Sequence, residues 1–383
     1  MRPPKLHLML VVGARPNFVK VAPLLRQTGI HRARISTTLV HTGQHYDRAM
    51  SADMFEDLGL PREDFNLGIG SGTHAEQVGR TMIELEKLFH AAKPDWVIVA
   101  GDVNAVCAAA LTAAKESIRI AHIEAGLRSF DRSMPEEINR LVADALADLL
   151  FTTDHFANAN LLREGRPDSA IKMVGNIMID TLEAQRAAAA SISVSQIAER
   201  KSQPDRHCPA SIPEEGYAVL TLHRPSNVDQ PVTLSAILDS IKESVGHMMP
   251  VVWPVHPRTR ENLRRFGSWD RMMHAQWLVP LMPLAYREML RLTMRAAIVL
   301  TDSGGLQEEC CVLGTPCVVL RDTTERPITL KDHGGTCLLA GNTPEGIMTA
   351  AQTALRMERR PSRPPLWDGH SAERIVEVFL NLG

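Results

Sequence analysis

Leu6-His-Leu-Met-Leu-Val-Val12 runs straight into Gly13-Ala-Arg-Pro-Asn-Phe-Val-Lys20, and this junction decides how the chain folds. Six of the seven residues in the first run are apolar, which suits a strand buried on both faces. Gly13 allows a tight turn. Pro16 suits a first helical turn, where its missing N–H leaves nothing unpaired. Strand, glycine turn and helix make the opening half of a βαβ unit, and the rhythm continues outward. Ile35–Val40, Trp96–Ala100, Ile118–Ile123 and Leu149–Thr153 read as further buried strands. Pro16–Thr28, Met50–Leu58, Ala75–His90, Ala105–Lys115 and Pro135–Ala147 read as the helices between them.

The stretch Ala184–Glu215 interrupts this alternation with an Ala-rich helical segment and then Ser202-Gln-Pro-Asp-Arg-His-Cys-Pro209, a polar, proline-bearing connector. Alternation then restarts, with strands at Tyr217–Leu222, Val251–Val255, Ile298–Thr301 and Cys317–Leu320. The expected class is therefore α/β, with two doubly wound Rossmann-like domains facing a cleft. Residues 1–182 make the first domain and 183–365 the second. A helical tail within 366–383, apolar at helical spacing over Ala372–Leu380, is expected to pack back on the first.

Composition narrows the function. The 383 residues suit two or three domains at about 150 residues each. With 42 Lys+Arg against 44 Asp+Glu, the charge is nearly balanced, which disfavours a nucleic-acid backbone binder. Aromatic residues are 4% of the chain, too few for carbohydrate- or base-stacking platforms. No apolar run approaches the ~20 residues of a membrane span, and no signal-peptide pattern precedes the first strand. The six cysteines show no Cys-x-x-Cys spacing, so reduced thiols in a cytoplasmic protein are expected. Neither a dinucleotide fingerprint nor metal-ligand spacing is present, so no cofactor and no metal are expected.

The chemistry-bearing residues gather where strands end. Arg15 and Lys20 lie at a helix N-terminus suited to an anion. Asp102, in Ala100-Gly-Asp-Val-Asn104, follows a strand directly, and capping a helix is the bland alternative. Glu124 lies just beyond another apolar strand, in His122-Ile-Glu-Ala-Gly-Leu-Arg128. Glu136 and Glu137 begin a helix in Met134-Pro-Glu-Glu-Ile-Asn-Arg140, where the dipole favours acids anyway. Three acids brought to one strand-end face would cost stability, which points to function. His223 and Arg224 open the second domain in Leu222-His-Arg-Pro-Ser-Asn-Val-Asp229, a pair suited to proton transfer and phosphate contact. Thr301-Asp-Ser-Gly-Gly-Leu-Gln-Glu-Glu309 is a strand, a glycine turn and a helix start, able to wrap a pyrophosphate with backbone N–H groups. Arg321-Asp-Thr-Thr-Glu-Arg-Pro327 adds charge after the next strand.

Taken in order, with His41-Thr-Gly-Gln-His-Tyr-Asp47 and Val174-Gly-Asn176 added, these motifs resemble the non-hydrolysing UDP-N-acetylglucosamine 2-epimerases from Gly13 to about Gly341. The resemblance implies a glycosyltransferase-B architecture, a homodimer, and interconversion of UDP-GlcNAc and UDP-ManNAc without NAD. The route implied is elimination of UDP to 2-acetamidoglucal, followed by re-addition. It implies Asp102, Glu124, Glu136 and His223 as the acid/base set. Arg15, Ser303, Gly304, Gly305 and Glu309 would hold UDP, Glu309 on the ribose. Lys20, Arg140, His256 and Arg326 would complete the substrate contacts. Gln44 and His45 match part of the site where many bacterial members bind a second, activating UDP-GlcNAc. Three other readings stand beside this one: a hydrolysing epimerase releasing ManNAc and UDP, a UDP-GlcNAc-dependent glycosyltransferase of the same fold, and a non-catalytic nucleotide-sugar binder. No nucleic-acid or membrane partner is expected.

Overall fold

A computed structural model describes residues 5–43, 57–205 and 211–382, apart from the side chains of Arg15 and Pro16. The chain divides into two compact units, Met1–Ala184 with Pro364–Gly383, and Gln185–Arg363.

In unit 1 the strands are β1 (Leu6–Val12), β2 (Ile35–His41), β3 (Phe65–Asn66), β4 (Trp96–Ala100), β5 (Arg119–Ala125), β6 (Leu149–Thr152) and β7 (Ile171–Met173). Among the described residues they form one parallel sheet in the order β3-β2-β1-β4-β5-β6-β7. Helices Arg15–Ile30, His74–Ala92, Asn104–Lys115, Pro135–Leu146 and His155–Arg163 follow or link these strands. The central strands are buried on both faces, Leu8 to Val12 and Trp96 to Ala100 being almost wholly covered. That explains their unbroken apolar runs.

The helix Ser371–Leu382 packs beside Arg15–Ile30 in this unit. Phe379 meets Trp96 edge-on at 5.4 Å and Phe151 at 5.7 Å. Asp180 accepts from the N–H groups of Ser371 (3.1 Å) and Ala372 (2.7 Å), satisfying two donors that open that helix. Trp367 donates its indole N–H to the carbonyl of Thr153 at 3.0 Å.

Unit 2 repeats the plan with β8 (Ala218–Thr221), β9 (Val251–Pro254), β10 (Leu278–Leu281), β11 (Ile298–Thr301), β12 (Cys317–Val319) and β13 (Cys337–Leu339). These also pair in parallel, in the order β10-β9-β8-β11-β12-β13. Two buried clusters lie here, one holding Leu220, Trp253, Ile237 and Leu300, the other Tyr217, Val219, Val252 and Val299. Alternate residues of β8 therefore enter different clusters, as a strand covered on both sides requires.

Two details differ from the sequence reading. The stretch after Ala184 is more than a connector: helix Val194–Lys201 buries Val194, Ile197 and Ala198 in the second of those clusters, and the carbonyl of Lys201 accepts from the N–H of Met282 at 2.7 Å. Strands β3, β7, β10 and β13 were not apparent from the apolar pattern, and all four are sheet edges. The expected helix at Met50–Leu58 lies largely outside the described residues.

Candidate active site

Both sheets share one strand order, so both reverse direction of winding at one place: between β1 and β4 in unit 1, and between β8 and β11 in unit 2. Loops leaving adjacent strands there part to opposite faces, leaving a crevice at the strand carboxyl ends where ligands bind. Every motif singled out above as chemical, outside the undescribed segments, leaves a sheet at or beside such a point.

In unit 1, the turn after β1 is locked to β4. The side-chain oxygen of Asn17 accepts from the N–H groups of Gly13 and Ala14, each at 3.0 Å, and its amide donates to the carbonyl of Ala100 at 2.7 Å. One turn further along, Lys20 reaches Glu124 at 2.5 Å, both nearly fully buried. Glu124 has φ +67°, left-handed for a non-glycine residue, at the point where the β5–β6 register slips. A bulge of this kind re-aims a side chain and stores strain, a pattern associated with functional positions. Gly101, with φ +78°, lies against this pair; a Cβ there would fall 2.5 Å from the Lys20 ammonium nitrogen.

Asp102 does not cap the following helix, whose N-cap is Val103. Its carboxylate is paired with Arg140 and about a quarter exposed, while Asn139 holds its carbonyl at 2.8 Å. Arg140 also meets Glu137 at 2.8 Å. Glu137 is a structural anchor: it accepts from the Ser129 N–H and hydroxyl, both at 2.9 Å, and from the Phe130 N–H at 3.1 Å. Burial works against its charge, but the Ser129 N–H and the Arg140 guanidinium hold its carboxyl below the usual range. Its neighbour Glu136 is half-buried and makes no side-chain hydrogen bond or ion pair among the described residues.

In unit 2, His223 follows β8 and Asp302 follows β11, strands paired through Thr221 and Thr301. Nδ1 of His223 donates to Asp302 at 2.7 Å. Asp302 also accepts from the N–H groups of His223 and Arg224, both at 2.9 Å, and from the Asn227 amide at 3.2 Å. Burial opposes the Asp302 charge, yet His223 and these donors hold its carboxyl below the ordinary value. With Nδ1 so engaged, Nε2 is the nitrogen left for chemistry. The His256 ring lies 5.6 Å from that of His223, and its Nδ1 caps helix Pro257–Arg265 through the Arg258 N–H.

Ser303 is the N-cap of helix Gly304–Leu313, leaving the N–H groups of its first turn free of intrahelical partners. Gly304 is packed against the guanidinium of Arg326 and the carboxylate of Glu325, with no room for a Cβ. Arg326 pairs with Glu308 at 2.8 Å and with Glu325, which Arg321 also meets at 2.7 Å. Glu309 is buried beside Tyr286; burial and the adjacent Glu308 push its carboxyl up to about 7, against the opposing pull of the Tyr286 hydroxyl.

This arrangement can be compared with known proteins. The family model described as UDP-N-acetylglucosamine 2-epimerase matches residues 29–380. The chain belongs to that family. It is an enzyme of the 2-epimerase class, built on two Rossmann-like units of the glycosyltransferase-B kind. It is 39% identical to the UDP-N-acetylglucosamine 2-epimerase of Methanocaldococcus jannaschii over 98% of this chain and 99% of that one. It is 38% identical to a UDP-2,3-diacetamido-2,3-dideoxy-D-glucuronate 2-epimerase of Pseudomonas aeruginosa, over 98% of this chain and all of that one. The crystal structure of the M. jannaschii enzyme in complex with UDP-GlcNAc and UDP superposes with a TM-score of 0.89, covering 98% of this chain and all of that one at 39% identity.

The enzyme thus places Lys20, Asp102, Glu124, Glu136 and Arg140 at the strand ends of unit 1, and His223, His256, Ser303, Gly304 and Gly305 at those of unit 2. Arg326 and Glu309 lie behind the Ser-Gly-Gly turn, buried. The Arg15 side chain, Gln44 and His45 lie outside the described residues. Sequence reasoning gave no role to Asn17, His122, Asp144 or Asp302. One signal was available: Glu137, Arg140 and Asp144 fall at helical spacing on a face that also buries Ala143, an unlikely place for three charges without partners. Among the described residues no helix is long and apolar enough to cross a membrane.

Proposed function

We propose that the enzyme interconverts UDP-GlcNAc and UDP-ManNAc by elimination and re-addition of UDP, without releasing free sugar. A base removes the C2 proton, the C1–O bond to UDP breaks, and the electron pair closes the C1–C2 double bond of 2-acetamidoglucal. Delivery of a proton to the opposite face of C2 and re-formation of the C1–O bond give the epimer. Elimination and addition are each redox-neutral, so no hydride carrier enters the balance.

The observation that supports this most is the matched equipment of the two switch points. Unit 1 carries Asp102, Glu124 and Glu136, two of them paired with a cation. Those pairings let like charges sit at neighbouring strand ends without unbalanced repulsion. These three would move protons at C2, a step that needs a positioned base. Unit 2 carries the parts for a departing diphosphate: the first-turn N–H groups of helix Gly304–Leu313, Arg224, and Nε2 of His223 with Asp302 behind it. Arg15 and Lys20 would add positive charge, Glu309 would take the ribose, His256 would stand on the nucleotide side, and Arg140 and Arg326 would fix Asp102 and Gly304. The relatives named above favour the same reaction. The P. aeruginosa relative favours a second substrate reading, a UDP-sugar bearing a second acetamido group and a uronate carboxylate.

Incubation of the purified enzyme with UDP-GlcNAc alone in D2O, followed by NMR, tests the proposal. The expected product is UDP-ManNAc with deuterium at C2. Retained hydrogen would reject the elimination, and free ManNAc would mark a hydrolase. Unchanged UDP-GlcNAc with turnover of the diacetamido uronate would move the substrate assignment. Amide variants at Asp102, Glu124 and Glu136 are each expected to lose on the order of 10²-fold or more in turnover.

A further inference from the structure

Beneath the unit 1 strand ends lies a buried ionic cluster to which the reaction outlined above assigns no step. His122, on β5, is fully buried. Its Nδ1 meets the Asp144 carboxylate at 2.6 Å and its Nε2 meets the carbonyl oxygen of Gly101 at 2.8 Å. The Gly101 carbonyl can only accept; burial opposes the Asp144 charge, yet His122, Arg128 and the Gly126 N–H hold its carboxyl below the ordinary value, so it accepts as well. Only a ring donating from both nitrogens satisfies both contacts, so the site is built for an imidazolium. Asp144, 1% exposed, also accepts from the Gly126 N–H at 3.0 Å and pairs with Arg128 at 2.7 Å; Arg128 in turn meets Glu164 at 2.6 Å. Two cations and two anions balance.

What this cluster holds is specific. Gly101 immediately precedes Asp102. His122 and Gly126 flank Glu124 on either side, with the left-handed Glu124 backbone between them. Asp144 projects from helix Pro135–Leu146, which also carries Glu136 and the Arg140 that pairs with Asp102. Three acids on three different elements are therefore referred to one pair of side chains. An apolar core could hold these elements together, but only directional, charge-assisted bonds fix the peptide on each side of a reacting carboxylate.

We propose that His122 and Asp144 are positioning residues, a buried imidazolium–carboxylate pair that sets the mutual geometry of Asp102, Glu124 and Glu136. The role rests on the epimerisation reading, while the pair itself does not. With the full chain, Asp144→Asn and His122→Gln are expected to lower kcat by about 10²-fold, the scale on which a misplacement of about 1 Å acts. KM for UDP-GlcNAc and the affinity for UDP should stay within about twofold. The control Glu164→Gln, at the outer end of the chain of ion pairs, should leave kcat near wild type. In parallel, 15N NMR of the ring nitrogens in wild-type enzyme at neutral pH should show His122 protonated at both positions. Amide hydrogen exchange should show the Gly101–Asp102 and Glu124–Gly126 segments loosened in the variants. A singly protonated ring, or variants with unchanged kcat, would overturn the proposal. If the wild type does not epimerise, the reaction reading fails, and the ring protonation and exchange data still decide whether the anchor exists. If neither variant folds, the wild-type ring signal decides it alone.

Discussion

Replacing Glu309 by Gln should stabilise unit 2 at neutral pH and do less in mild acid. Burial, with Glu308 adding to it and Tyr286 opposing, carries the Glu309 carboxyl from its ordinary 4.5 to about 7. An unfolded chain ionises this group above about 4.5, whereas the folded one keeps its proton until about 7. Between those values the unfolded state binds fewer protons, so stability falls as pH rises and levels off above about 7. A gap of about 2.5 pH units is worth roughly 3 kcal/mol when complete. Gln cannot ionise and keeps the neutral shape, so the advantage of E309Q over wild type should grow from about 1 kcal/mol at pH 5 to roughly 3 kcal/mol at pH 8. Two compact units need not melt together. Urea titration should therefore be read by pulse proteolysis, with fragments from residues 211–363 assigned by mass spectrometry. Tyr286→Phe sharpens the test. It removes the hydroxyl that eases the Glu309 charge, so the fall in stability should become larger and extend to higher pH. Wild type and E309Q running parallel from pH 5 to 8 would refute the reasoning.

Other perturbations bear on unit 1. Lys20→Met leaves the Glu124 charge buried without its cation and should cost about 3–5 kcal/mol, while the double variant K20M/E124Q recovers most of it; melting temperatures of the three chains check this. Gly101→Ala adds a Cβ 2.5 Å from the Lys20 nitrogen at a φ of +78°, and should abolish epimerisation by displacing Lys20 and Glu124, measurable with UDP-GlcNAc by NMR. Asp180→Ala removes the acceptor for the Ser371 and Ala372 N–H groups. A loss of about 1 kcal/mol is expected, visible as faster amide exchange through residues 371–379.

The interior of both sheets was legible because a strand covered on two faces must be apolar at almost every position, as Leu6–Val12 and Trp96–Ala100 are. Edge strands have no such requirement. β3 has two residues, β7 and β13 have three, and β10 contains Pro280, which an edge tolerates and an interior strand does not. The reacting candidates were legible for a related reason: a polar residue directly after an apolar strand stands out. Their supports did not. Asp144 serves Glu124 from 20 residues away, and Asp302 serves His223 from 79, so neither partnership leaves a local pattern. Nor does sequence disclose that Glu124 carries a left-handed backbone, since glycine is the residue that normally announces one.

The division of the chain also bears on the order in which the protein is made. Unit 1 is discontinuous: its sheet is translated first, and the segment Pro364–Gly383 follows only after all of Gln185–Arg363. Unit 2 can fold as soon as its own residues emerge, but unit 1 must wait, with Trp96 and Phe151 lacking the ring of Phe379 and Asp180 lacking its two N–H donors. During that interval an apolar seat on the first half of the nascent chain stands open to water and to other unfinished chains. A ribosome that stalls within unit 2 would release a chain with that seat bare. Chaperone demand should therefore depend on helix Ser371–Leu382 far more than its 12 residues suggest.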